Sequence, residues 1–275
     1  MFSSLVRNTP PVVLPVSLAE AKVMLTLAVD IDEADLLPEH DTAVRSAIVG
    51  AAATAEVEAG KTVVYSGYDL FLDRWPKGKS IGLPLPPFRK LDSVTYWTVD
   101  DQEFTFDRFY IDNTSLIPQV VLRHDEHWPV GDLREVKPIR VRYWAGMIVP
   151  FSANSDTNEL LVANNPFTDG DTVRLSVSGG VLPEGLETWK LYFVRDVAGD
   201  SLRLSENLDG DAVSFANTGA GSLFLGEIDP LVATGLQIMI AGLYETSRDP
   251  EQTSTAKYHR AASHWFAMDS TRGVI

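Results

Sequence analysis

The chain has 275 residues, no cysteine and a formal net charge of −15. Its 45% hydrophobic content can supply one sizeable core or two smaller ones, so it reads as an ordered globular protein. The missing cysteines exclude disulfides and thiolate metal sites, and the acidity argues against a surface that grips nucleic-acid phosphates.

Pro11 and Pro15 keep the first residues extended, and the proline-broken stretch Met1 to Val16 does not read as a secretory signal. Ser17 is a good N-cap, and Glu20 three residues on completes a capping box. A helix is therefore expected from Leu18 to about Val29, with Leu18, Ala21, Leu25 and Ala28 on one face. The acidic turn Asp30-Ile31-Asp32-Glu33, with Pro38, closes it. A stronger helix is expected from Asp41 to Ala59, with Val44, Ile48, Ala51 and Ala55 on one face and Gly60 as its stop.

From Thr62 to about Val149 short segments alternate apolar and polar residues: Tyr68 to Leu72, Val94 to Trp97, Phe104 to Ile111, Gln119 to Leu122 and Ile139 to Trp144. Gly, Pro and Asp turns separate them, which predicts an antiparallel sheet or a set of long hairpins. Trp75, Trp97, Trp128 and Trp144 fall within or beside these strands and read as core.

Phe151 to Gly226 reads as a separate insertion. Between Ser152 and Gly226 there are eleven Asp and Glu against four Lys and Arg, a net of seven negative charges. Short strands and the turns Asp169-Gly170-Asp171 and Asp209-Gly210-Asp211 predict a small acidic β-module. The chain then returns to helix. Pro230 takes the N1 position after Asp229, and apolar residues run to Tyr244. That run is shorter than the roughly 20 apolar residues a membrane span needs, so it reads as a core helix. Arg248-Asp249-Pro250 ends it, and a second stretch runs from about Thr255 to Met268.

Several strings could carry chemistry, and each has a plainer reading. Gly60-Lys61-Thr62 is the tail of a phosphate loop, but the helix precedes it and Ala55 stands where the first glycine belongs. Gly199-Asp200-Ser201-Leu202 spells a lipase and esterase signature in a β-turn setting, without the partner arrangement at His259 or His264 that would activate the serine. His124-Asp125-Glu126-His127 matches no common zinc spacing and reads as a solvated loop. The acidic turns at Asp30 and Asp209 lack the pattern of a calcium loop. The expectation is no catalytic residue, no metal and no cofactor. Trp265 and Phe266 stand apart as large apolar residues near the C-terminus, where such residues often dock on a partner.

Six pieces follow one another in order: Pro15 to Lys22; Ala51-Ala52-Ala53 with Gly60-Lys61; Leu83-Pro84-Leu85-Pro86-Pro87; Ser93-Val94-Thr95-Tyr96; Tyr110-Ile111-Asp112; and Val141-Arg142-Tyr143-Trp144-Ala145-Gly146. In this order they resemble the bacteriophage head-tail connector (adaptor, head completion) family. The insertion departs from that pattern and is similar to a small β-module of phage virion proteins, through Asp169 to Val173, Leu182 to Leu186, Tyr192 to Val194 and Asp200 to Ser205.

The resemblance implies an α+β protein with a helical connector fold: two N-terminal helices, antiparallel β-hairpins or sheet, and C-terminal helices, with an inserted small all-β domain. The expected division is 1–150 for the N-terminal part of the connector domain, 151–226 for the insertion and 227–275 for the C-terminal helices. It implies a structural virion protein, not an enzyme, forming a dodecameric ring below the portal protein at the neck after synthesis in the host bacterial cytoplasm. The ring would extend the DNA channel without sequence-specific binding or contact with a membrane, and offer a platform to stopper or tail-completion proteins. By analogy Trp265, Phe266 and Met268 would dock in the portal. The alternative is a tail or baseplate component whose β-module binds glycan, through Phe167, Trp189, Tyr192, Phe193, Phe215 or Phe224.

Overall fold

The computed structural model describes residues 2–35, 37–188, 190–248 and 255–271. In chain order the first elements are β1 (Phe2–Thr9), α1 (Leu18–Met24), α2 (Ile31–Asp35), one 3-10 turn (Pro38–His40) and α3 (Asp41–Ala59). There follow β2 (Ser66–Leu72), β3 (Ser80–Gly82), β4 (Phe88–Trp97), β5 (Glu103–Thr105), β6 (Phe109–Asp112), β7 (Gln119–Leu122) and β8 (Ile139–Ala145). Next come β9 (Val149–Asn154), β10 (Glu159–Leu161), β11 (Thr172–Val173), β12 (Leu175–Val181), β13 (Tyr192–Ala198), β14 (Ser201–Ser205) and β15 (Ala220–Leu225). Two helices, α4 (Pro230–Arg248) and α5 (Thr255–Thr271), end the described chain. It divides into two compact units. A sheet unit holds the N-terminal strand and Gly60–Gly146; a barrel-helix unit holds Val12–Ala59 and the chain from Met147 onward.

In the sheet unit, alternation in β8 buries Ile139, Val141 and Tyr143 and leaves Arg140 and Arg142 on the other face. The strand order is β1-β2-β8-β4-β5, all antiparallel, and a smaller sheet is ordered β3-β7-β6. Their inner faces share one core, in which Tyr68, Leu70, Val94 and Val141 meet Ile81, Val120 and Leu122. Tyr68 and Tyr143 stack at 5.6 Å within it, and each phenol has a partner: Tyr143 donates to the Pro84 carbonyl (2.5 Å), and Arg7 donates to Tyr68 (2.6 Å). Burial pushes the Tyr143 phenol up, helped by Tyr68, so it stays a donor.

On the opposite face, Arg142 holds Asp69 through two parallel bonds of 2.8 and 2.9 Å. Burial pushes the Asp69 carboxyl up, but hydrogen bonds from Arg142 and Asn8 and the charges of Arg142 and Arg140 outweigh it, and the carboxyl titrates below its ordinary value of 3.8.

The seven strands β9 to β15 form one sheet ordered β11-β13-β14-β10-β9-β15-β12. Its two outermost members, β11 and β12, are consecutive pieces of one stretch interrupted at Arg174, pairing with β13 on one side and β15 on the other. The sheet therefore closes on itself as a small barrel, which leaves it no long free edge. Leu160, Leu175, Tyr192, Val194, Leu202 and Leu225, which the register puts on one face, fill it.

The barrel is fastened to α1 by an unusual cap. Ser17 accepts from the Glu20 backbone N–H (3.1 Å), as a capping box requires. The reciprocal bond, from the Ser17 N–H to the Glu20 carboxylate, is not made directly. Buried Ser178 of β12 sits between them, its hydroxyl accepting from the Ser17 N–H (2.6 Å) and donating to the Glu20 carboxylate. The next residue, Gly179, has φ +65°, and a Cβ there would press within 2.7 Å of the Ser17 Cβ. Further along α1, buried Lys22 donates to the Ala34 carbonyl (2.8 Å) and pairs with Asp41 (2.5 Å), tying α1 to α2 and to the start of α3.

The helix expected to Val29 ends at Met24, where Thr26 turns left-handed at φ +57°. Asp30, expected to close that helix, instead caps α2 by accepting from the Glu33 N–H (2.8 Å). The segment Phe104 to Ile111 is two strands, β5 and β6, in different sheets. The N-terminal residues expected only as extended chain form β1, paired along most of β2. Of the tryptophans read as core, Trp144 is buried, whereas Trp97 is half-buried between the guanidinium groups of Arg134 and Arg140, 4.1 and 5.0 Å from its ring.

Ser178→Ala leaves the Ser17 N–H and the Glu20 carboxylate without their shared partner and is expected to cost about 1–3 kcal/mol. Gly179→Ala adds left-handed strain of about 1–3 kcal/mol to a steric clash, so chemical denaturation should rank it below Ser178→Ala in stability. For Asp69, a lowered folded-state value means that its contribution is complete above the ordinary 3.8 and lost as pH falls through the lowered value. Asp69→Asn should lose about 1–3 kcal/mol at pH 7, held down by solvent at Arg142, and should flatten the acid limb of a stability-against-pH curve.

Candidate interaction surfaces

The strings that suggested chemistry are occupied by structural tasks. Gly60 ends α3 at φ +64°, and the buried Thr62 hydroxyl lies 3.1 Å from both the Tyr68 phenol and the Leu85 carbonyl, turned into the core. Ser201 begins β14 after a turn at Gly199, and its hydroxyl donates to the Ala198 carbonyl (3.1 Å). His259 lies on α5, paired with Glu58 of α3 at 2.7 Å, and His264 packs edge-on to Trp265. His124 and Asp125 form an exposed pair at 2.9 Å, while Glu126 pairs with Arg108. Asp171 accepts from the Thr168 N–H within its own turn, and Asp169 accepts from the Val197 N–H of β13. Among the described residues no group of three or more His, Asp or Glu could hold a metal ion, and no helix is long and apolar enough to cross a membrane.

Most of the aromatics that could have stacked sugars are covered. Phe167, Tyr192, Phe215 and Phe224 are buried and Phe193 is half-buried; Trp189 lies outside the described residues.

The three C-terminal candidates separate by burial. Phe266 is fully buried, at 0% exposure, because Gly235 of α4 leaves a notch for its ring: a Cβ there would meet Phe266 Cδ1 at 2.8 Å. About two turns of α5 away, Tyr258 fills a similar notch at Gly242, and its phenol donates to Glu245. That bond, with burial and the Glu245 charge adding to it, pushes the Tyr258 phenol up. Gly50 of α3 likewise admits Leu243 of α4, whose Cδ1 would lie 3.0 Å from a Cβ on that glycine. Two aromatic knobs and the His259 pair thus seat α5 on α3 and α4. Trp265, two turns after Tyr258 and on its side of the helix, is half-buried at the edge of that seat, and Met268 is exposed.

Charge is divided as unevenly as shape. The sheet unit carries 13 Lys and Arg against 12 Asp and Glu, a net of +1. The rest of the chain carries 10 against 26, a net of −16. Essentially all of the protein's acidity therefore belongs to the barrel-helix unit.

No protein-family model and no curated protein matches the chain. Two solved structures resemble part of it. One is the neck of an empty GTA particle computed with C6 symmetry, with TM-score 0.46, 19% identity, and 52% of this chain and 71% of that chain covered. The other is the virion of a native gene transfer agent (GTA) particle, with TM-score 0.40, 18% identity and the same coverage of 52% and 71%.

Proposed function

We propose that this chain is a structural protein of a phage-type virion, a head-tail connector whose copies close into a ring below the portal and extend the DNA channel. The observation that carries the reading is the ordered set of six sequence pieces from Pro15 to Gly146, of which the first, the third and the last hold demanding places in the fold. Ser17, Glu20, Ala21 and Lys22 build the capped and buried side of α1. Pro84 and Leu85 offer their carbonyls to Tyr143 and Thr62. Gly146, at φ +156°, passes so close to Tyr65 that a Cβ would lie 2.6 Å from its Cα. Such positions keep their residue type for packing, and a ring subunit needs fixed packing more than it needs a reactive group.

A dodecameric ring is the expected assembly, with the portal on one side and a stopper or tail-completion protein on the other. The −16 of the barrel-helix unit suits a passage that DNA must traverse without adhering, because like charges repel and the cations needed for phosphate contact are few. The barrel, a module inserted between the sheet unit and the C-terminal helices, is available to touch a neighbouring virion part. On α5, Trp265 and Met268 present the portal-docking face, with Phe266 as the anchor that holds the helix in register.

Light scattering of the chain alone and mixed with portal protein tests the ring. A mass far above the monomer is expected in the mixture at least, and a monomer in both conditions overturns the reading. Within α5, replacing both Trp265 and Met268 by alanine should weaken portal binding at least about tenfold while lowering thermal stability less than Phe266→Ala does. Phe266→Ala should instead cost about 3–5 kcal/mol of folding stability through the cavity it leaves.

A further inference from the structure

Two exposed apolar patches of the sheet unit remain unused by its own core. The first lies where β4 runs out. Val99 donates its N–H to the Asp132 carbonyl (3.0 Å), Thr98 bridges Leu133, and the Arg134 N–H returns to the Trp97 carbonyl (3.2 Å). This joins the segments 97–103 and 129–140 into one surface that presents Val99, Val130 and Val136, with Val130 at 99% exposure. Beside them Trp97 is clamped between Arg134 and Arg140. Arginine and tryptophan held rigid next to exposed apolar groups is the composition of an interface centre. The surface carries Asp100, Asp101, Glu103, Asp132 and Glu135 against Arg134, Lys137 and Arg140, a net of −2.

The second patch is the outer face of the three-stranded sheet. Ile81, Val120 and Ile111 are register partners whose side chains face the core, so Tyr110 and Val121, paired one step along, face outward. Tyr110 is 63% exposed under the Arg123 guanidinium (5.3 Å), Ile117 lies over Gly82 on the same side, and Leu116 next to it is exposed. The segments 77–82 and 108–123 carry Lys77, Lys79, Arg108 and Arg123 against Asp112, and Glu126 pairs with Arg108 from just beyond; counted with it, the net is +2.

We propose that these two patches are the halves of one subunit joint: the valine and Trp97 surface of one copy docks on the Tyr110, Leu116 and Ile117 face of a second copy of the same chain. The patches share no residue, both are apolar at their centres, and their net charges are opposite. A contact between different patches on identical subunits is heterologous, which is the kind a closed ring requires. The alternative of joining copies through barrel-helix units would bring together surfaces that each carry much of a −16 charge. This joint rests on the ring reading and specifies it.

Sedimentation equilibrium of the whole chain, alone and with portal protein, tests the joint with two single variants, Val130→Asp and Ile117→Asp, both at exposed positions. Each variant alone should associate at least about tenfold more weakly than the natural chain. Each still keeps one intact half, so an equal mixture should form a 1:1 dimer that grows no further. Unchanged assembly of either variant, or an equal mixture that stays monomeric, overturns the joint while leaving the ring in place. A natural chain that is monomeric in every condition overturns the ring and the joint together.

Discussion

The arrangement of the barrel-helix unit depends on a hydroxyl group placed between two groups that would otherwise meet. In an ordinary capping box the helix closes its own first turn. Here Ser178, 161 residues downstream of Ser17, takes over the reciprocal bond, so α1 reaches its full complement of partners only when the barrel is in place. Lys22 continues the dependence by binding the end of α2 and the start of α3. Barrel, short helices and long helices are thereby linked through a few buried polar groups, whose loss leaves unpaired atoms and not merely a looser contact.

Among the long helices the organising device is the opposite, an absence of side chain. Gly235 and Gly242 allow Phe266 and Tyr258 to sink into α4, and Gly50 admits Leu243. In a helix considered alone each glycine is a cost of about 1 kcal/mol relative to alanine. Against a neighbour it becomes a socket that fixes both the rotation and the height of α5. That fixing decides which apolar residues of α5 stay at the surface, so a partner of this helix meets Trp265 and Met268 and not Phe266.

Much of this was legible in the sequence where signals are local. Gly60 and the Asp229-Pro230 start bounded α3 and α4 because caps act within one turn, and the alternation in Ile139 to Trp144 marked a strand. The halves of the Ser178 cap were not legible, since nothing near residue 178 marks a partner near residue 17. β1 was missed because Phe2-Ser3-Ser4-Leu5-Val6-Arg7 has little alternation of its own and is a strand through pairing with β2. Phe104 to Ile111 looked continuous because the break at Asp107-Arg108 is polar on the surface and carries no glycine or proline. At the candidate site, large apolar residues near the chain end were easy to find. Their division into an anchor and an exposed pair was set by Gly235, a residue whose role cannot be seen until the two helices are side by side.

The barrel begins and ends at register partners: Val149 of β9 stands opposite Leu225 of β15. Paired strands hold such residues about 5 Å apart, so seventy-odd residues enter and leave the backbone at a single point, like a bead threaded on a knot. A stretch with that geometry can be gained or lost by a genome without stretching what flanks it, and it offers a natural place to splice in foreign sequence. The tie at Ser178 works against that freedom, because a chain without the barrel would leave the Ser17 N–H and the Glu20 carboxylate of α1 without their shared partner.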